Sequence, residues 1–224
     1  MAMKLKSVAF LVFACATAAA GPVPKGFSIV PKSTSPDGKL AVIAPDIAPP
    51  GETHENKLID VDSGKVLATL VSTTASAGDE MMPEWSADGS MLEWYVDGKW
   101  GSSALVLVRL DKGKVTSQID ARELAVHEVI AEVHRTHATA AAAAKREGAS
   151  DGSWFRDGLA IDVKPANTHD NDDGTRDVPK PALPLQLDVT YTSNPKQLDT
   201  YPAAAQLDGK LALAIDAHGK LTKR

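Results

Sequence analysis

Two stretches of this chain repeat one plan. Ser35-Pro36-Asp37-Gly38-Lys39 runs into Leu40-Ala41-Val42-Ile43, and Ser86-Ala87-Asp88-Gly89-Ser90 runs into Met91-Leu92-Glu93-Trp94. Each is a polar turn, with glycine where a positive φ costs least, feeding an extended apolar run. Further on, Lys57-Leu58-Ile59-Asp60-Val61-Asp62-Ser63-Gly64-Lys65-Val66 pairs with Leu105-Val106-Leu107-Val108-Arg109-Leu110-Asp111-Lys112-Gly113-Lys114-Val115. Both read as β-hairpins closed on an Asp-x-Gly-Lys turn. A worn third copy stands near the end: Leu207-Asp208-Gly209-Lys210-Leu211-Ala212-Leu213, then Asp216-Ala217-His218-Gly219-Lys220-Leu221. The period is about 50 residues, close to the ~40–50 of repeat-built β folds.

At Trp85-Ser86-Ala87-Asp88-Gly89 the chain resembles β-propeller proteins of the WD-repeat and TolB type, in which a Trp-Ser-Pro-Asp-Gly-Lys string opens a strand of each blade. The first copy carries Thr34 where the Trp would stand. The resemblance covers residues 27–120 and, weakly, 204–224. It implies that Trp85 packs between blades. It implies no activity, because such repeats serve scaffolds, receptors and peptidases alike. Four blades would need ~160–180 residues, and a helix and an irregular insert leave too few for a closed ring. The expected fold is mainly β (α+β): antiparallel sheets from propeller-like hairpin repeats, as an open or partial propeller, plus one long amphipathic helix.

That helix is expected over 121–147. Asp120 is placed to N-cap it with Glu123 at the third position; Lys145 and Arg146 fall in the last turn, before Gly148. Val126, Val129, Ile130, Val133, Ala140 and Ala144 form one stripe at helical spacing, with Glu128, Glu132 and Arg135 opposite. Strands are expected at Leu159–Val163 and Leu185–Tyr191, separated by an irregular acidic and Pro-rich insert over 165–184.

The first twenty residues read as an export signal. Lys4 and Lys6 precede the apolar run Ser7–Cys15, and Ala16–Ala20 supplies small residues for cleavage before Gly21. The apolar run falls far short of the ~20 residues of a membrane span, so the mature chain, 21–224, is expected as one exported domain, periplasmic or secreted, without a membrane span. Val12-Phe13-Ala14-Cys15 also resembles the box before a lipid-modified cysteine, which makes Cys15 a lipidation candidate and a lipid anchor the minority reading. Phe13 is bulky for that box. Cys15 is the chain's one cysteine, so ordinary cleavage removes disulfide and thiolate chemistry together. A hydrophobic share of 43% supports a packed core, and a net charge of −5 argues against gripping nucleic acid.

Several strings look catalytic and fail a physical check. Gly148-Ala149-Ser150-Asp151-Gly152 matches G-x-S-x-G, but a nucleophile elbow needs a strand entering and a helix leaving, the reverse of the order here. His127-Glu128 opens like a zinc-protease motif, yet Ala131 stands where its second histidine belongs. His134 and His137, three residues apart on the helix, are neighbours able to share a metal; the plainer reading is boundary histidines. Asp170, Asp172 and Asp177 form the core of an irregular calcium site or a solvated acidic turn, and an EF-hand fails because His169 and Lys180 occupy carboxylate positions. Trp85, Trp94, Tyr95 and Trp100 crowd four aromatics into sixteen residues. Alternation sends Trp94 and Tyr95 to opposite faces of one strand, so core packing competes with a binding patch of Trp100 and Tyr95.

The sequence therefore points to a non-catalytic binding or scaffold protein of the cell envelope. Its contact loops would be Gly51-Glu52-Thr53-His54-Glu55 and Asp97-Gly98-Lys99-Trp100-Gly101, reaching an envelope protein or glycan through Trp100, Tyr95 and His54. No cofactor is expected under that reading. The alternative is a metal-assisted periplasmic hydrolase, with zinc or calcium on His134, His137 and the acidic insert.

Overall fold

The computed structural model describes residues 23–46, 53–70, 73–74, 80–98, 101–147, 155–172, 176–193 and 206–224. Three antiparallel meanders follow one another along the chain. The first contains β1 (Phe27–Ile29), β2 (Leu40–Pro45), β4 (Lys57–Asp60) and β5 (Val66–Thr69), in that order. Its β2–β4 connection carries β3 (Thr53–His54), which pairs with β6 (Thr73–Thr74) from the next connection. The second contains β7 (Glu80–Trp85), β8 (Met91–Gly98), β9 (Gly101–Asp111) and β10 (Lys114–Asp120). Helices α1 (Ala121–Thr136) and α2 (Ala138–Glu147) lead to the third: β11 (Phe155–Arg156), β12 (Leu159–Pro165), β15 (Leu185–Ser193), β16 (Asp208–Ile215) and β17 (Leu221–Lys223). A short hairpin of β13 (His169–Asp170) and β14 (Arg176–Asp177) lies within the β12–β15 connection, in the stretch expected to be irregular. The fold is mainly β and antiparallel.

The repeated strings make the same turn twice. In the first, Ser35 Oγ donates to Asp37 Oδ1 at 2.7 Å and accepts from the Leu40 amide at 2.9 Å. In the second, Ser86 Oγ donates to Asp88 Oδ1 at 2.7 Å and accepts from the Met91 amide at 2.9 Å. Gly38 (φ 76°) and Gly89 (φ 69°) each take the left-handed conformation that closes the loop. Five residues thus satisfy their own backbone groups, so the turn forms wherever the string occurs. The third copy varies it: Asp216 Oδ1 accepts from the His218 and Lys220 amides, and Gly219 has φ 78°.

Alternation along the strands decides what each face meets. From β8, Leu92, Trp94 and Val96 join Val42 and Leu58 of the first sheet in one core. Tyr95, with Leu105 and Leu107 of β9, joins α1 and the third sheet in another. The second sheet is therefore buried on both faces, and Trp94 and Tyr95 are both at 0% exposure. Trp85 lies in the first of these cores, and its indole N–H donates to the Ser33 carbonyl at 2.9 Å. On the far side of the third sheet, Gln186, Asp188 and Thr190 are exposed, which ends the stack in a polar layer.

The single helix expected over 121–147 is two helices. The start is as expected, with Asp120 accepting from the Glu123 amide at 2.9 Å. The break is at His137, whose φ of −135° and ψ of 41° are not helical. Its N–H still reaches the Val133 carbonyl and its own carbonyl accepts from Ala141, both at 2.8 Å, so hydrogen bonding passes across the break without an orphan. The alanine-rich second half has helix propensity but little apolar bulk. Interrupting the axis lets it lay Ala141 and Ala144 into the core that Val126, Val129 and Val133 already fill.

Candidate functional site

Each residue singled out by the sequence has a distinct fate. Tyr95 is no part of a surface patch: it is wholly buried, with its hydroxyl donating to Asp97 Oδ1 at 3.1 Å. Alternation assigns it a side of the strand; the third sheet and α1, which cover that side, come from far along the chain. His54 holds a ladder position opposite Thr73, while Trp100 and Cys15 lie outside the described residues, as does the 148–152 string.

The residues proposed for a metal are dispersed. His137 is exposed at the helix break. His134 Nε2 lies 3.2 Å from Asp157 Oδ2. Asp170 pairs with Arg176, which holds its carboxyl below the usual range. Asp172 and Asp177 are exposed. Among the described residues, no three His, Cys, Asp or Glu side chains converge as a metal site would require.

The structure does bring the two matched turns together. Between them lies a cleft of about 770 Å³, lined by Ser35–Asp37 and Lys39 of the first turn, Ala87–Ser90 of the second, and Asp60, Asp111 and Lys112 of the hairpin ends. Stacking two sheets with the same connections leaves equivalent turns side by side at one end. Three of its carboxylates, those of Asp37, Asp60 and Asp88, are anchored. The Ser35 hydroxyl and then the Lys39 amide hold Asp37 below its ordinary value, and the Ser63 hydroxyl does so for Asp60. Asp88 is lowered to about 2, chiefly by the Ser86 hydroxyl. Lys39 Nζ lies 3.6 Å from Asp37 in the open. The cleft thus offers anchored negative charge beside the ammonium groups of Lys39 and Lys112. These turns were legible in the sequence as structure; that they meet across a cleft was not.

A second polar cluster joins the second and third sheets. Asp97, at the end of β8, takes the Tyr95 hydroxyl and pairs with Arg176 of β14. Nearby, the buried Ser102 donates its amide to Asp162 Oδ1 at 2.9 Å, and its Oγ accepts from the Val163 amide at 3.0 Å. Its carbonyl accepts from Arg122 Nε at 2.6 Å. Every arm of this cluster ends on another part of the chain. It fastens β8, β9, β12 and α1 together.

No protein-family model matches the chain, and no curated protein matches it. Among solved structures it is similar to Kuenenia stuttgartiensis hydrazine synthase, at 15% identity and a TM-score of 0.32, over 85% of this chain and 40% of that one. Among the described residues, no helix is long and apolar enough to cross a membrane.

Proposed function

We propose that this chain is an exported binding or scaffold protein of the cell envelope, an open run of propeller-like blades that holds a polar segment of an envelope protein or glycan in the cleft between its matched turns. The observation that carries the reading is the cleft itself. Its walls are two turns of the same design, each closed by its own hydrogen bonds, and they set Asp37, Lys39, Asp88 and Ser90 beside the apolar Leu40 and Leu110. Walls closed in this way spare a ligand the cost of ordering its site. The long connections at the other end of the sheets, tied by the Thr53–Thr74 and His54–Thr73 pairs, are a second loop surface of the same module.

The test is thermal shift of the mature protein against envelope peptides, glycans and wall fragments, since a ligand at 100 times its Kd stabilises the folded state by about 2.7 kcal/mol. The expected result is a rise for one class in the parent that disappears in a Lys39→Glu, Lys112→Glu double variant. A panel with no shift overturns the binding reading. A shift kept in that variant and lost when His54 and Trp100 are replaced together moves the ligand to the other end.

A further inference from the structure

Glu93 sits in the middle of β8 with no solvent exposure, and among the described residues neither of its carboxyl oxygens has a hydrogen-bond partner. The ladder places Glu84 of β7 across from it on one side and Leu107 of β9 on the other. All three lie on the sheet face whose Tyr95, Leu105 and Leu107 pack in one core with Val129 of α1 and Leu187 and Leu213 of the third sheet. A carboxylate in such a place gives up its hydration and receives nothing in return, so the neutral acid is the form the closed core accepts.

The charges around it do not alter that balance. Glu84 is the charged group that acts on Glu93, and its sign opposes ionisation. Glu84 in turn feels Lys180 and Asp177 from the segment after β13, and Lys32 from the β1–β2 connection. Arg109, two positions along β9 from Leu107, spends its guanidinium on the Ala217 carbonyl at 3.0 Å. The Tyr95 phenol, on the same face of β8, is engaged with Asp97.

We propose that Glu93 is a proton-operated latch between the second and third sheets: as a neutral acid it lets the two faces close, and once ionised it drives them apart. Burial first, and the Glu84 charge second, push its pKa from 4.5 up to about 8. The folded state then keeps a proton that the unfolded chain releases near 4.5. Stability contributed by the neutral acid is complete below 4.5, declines as pH rises, and is gone above about 8. Mildly alkaline medium is therefore the signal to which the sheet interface responds.

The experiment compares the mature parent with Glu93→Gln in urea titrations from about pH 5 to 9. The unfolding constant of the parent, relative to the variant, rises about tenfold per pH unit until pH 8 and then levels. Dye binding to newly exposed apolar surface appears in the parent above pH 8 and not in the variant. Glu84→Gln, which removes the opposing charge, ends the rise at a lower pH. Parallel pH curves for parent and Glu93→Gln overturn the proposal. Should Glu93→Gln fail to fold, infrared spectra of the parent decide: a protonated-carboxyl band at pH 7 that vanishes by pH 9 supports the latch, and its absence at pH 7 refutes it.

Discussion

A Cβ on Gly158 would stand 2.3 Å from the carbonyl oxygen of Ala144, so the β11–β12 turn and α2 touch backbone to backbone. Gly158 also has φ +80°, a conformation that costs an L-residue ~1–2 kcal/mol by itself. Gly26 shares the conformation, at φ +83°, with nothing among the described residues within 4 Å of a Cβ. The two glycines therefore separate strain from collision. Gly26→Ala is expected to cost about 1 kcal/mol in urea unfolding and Gly158→Ala about 3 kcal/mol or more, because a carbonyl cannot rotate aside as a side chain can. Equal losses would show that α2 does not rest on this turn.

The paired turns allow an internal comparison. Ser35→Ala and Ser86→Ala each remove the acceptor of a strand-initiating amide, and Leu40 is buried where Met91 is partly so. An orphaned buried N–H costs ~1–3 kcal/mol, so Ser35→Ala is expected to be the more damaging of the two. The acid limb follows from Asp88, whose folded pKa of about 2 lies below its reference of 3.8. Its contribution is present above 3.8 and disappears as pH falls through 2. Thermal unfolding should show the Asp88→Asn variant losing less on passing from pH 5 to pH 2 than the parent does. Matching acid limbs would mean that this carboxylate does not hold the turn.

What the sequence disclosed follows from how local each feature is. The Ser-x-Asp-Gly turns satisfy themselves within five residues, and Asp120 caps a helix three residues away, so both could be read from the string alone. The break at His137 could not, because the alanine-rich stretch after it favours helix and no local breaker stands at the position; Ala144 of the second helix meets the Gly158 turn, a contact remote in sequence. Alternation told that Glu93 and Tyr95 share a side of β8. That this side is sealed depends on Leu187 and Leu213, far along the chain. The cleft was hidden for the same reason: each turn is local, and their adjacency belongs to the stacking of two sheets. Arg176 gave no signal in a stretch read as acidic, since its partner Asp97 stands on another sheet.

Asp157 ties both helices to the third sheet. Its Oδ1 lies 3.0 Å from Lys145 Nζ on α2 and its Oδ2 3.2 Å from His134 Nε2 on α1. The Lys145 contact is the larger cause of its lowered pKa, with His134 adding to it. Asp157 also occupies φ +52°, which asparagine tolerates, so Asp157→Asn removes the charge and keeps the turn. Both contacts are partly exposed, and an exposed ion pair such as that with Lys145 is worth ~0.2–1 kcal/mol. Because the folded pKa is depressed, this contribution is present above 3.8 and fades as pH drops below it. Asp157→Asn should therefore cost about 1 kcal/mol at pH 7, and the difference from the parent should shrink toward pH 3. It should shrink as well in ~1 M salt, where the screening length is ~3 Å. Hydrogen exchange supplies the spatial test. Amides of α2 should exchange faster in the variant while those of β15 keep their protection, because the clasp holds α2 down without supporting the sheet beneath it. Faster exchange throughout the third sheet would make Asp157 a support of the whole core and not a fastening for the second helix.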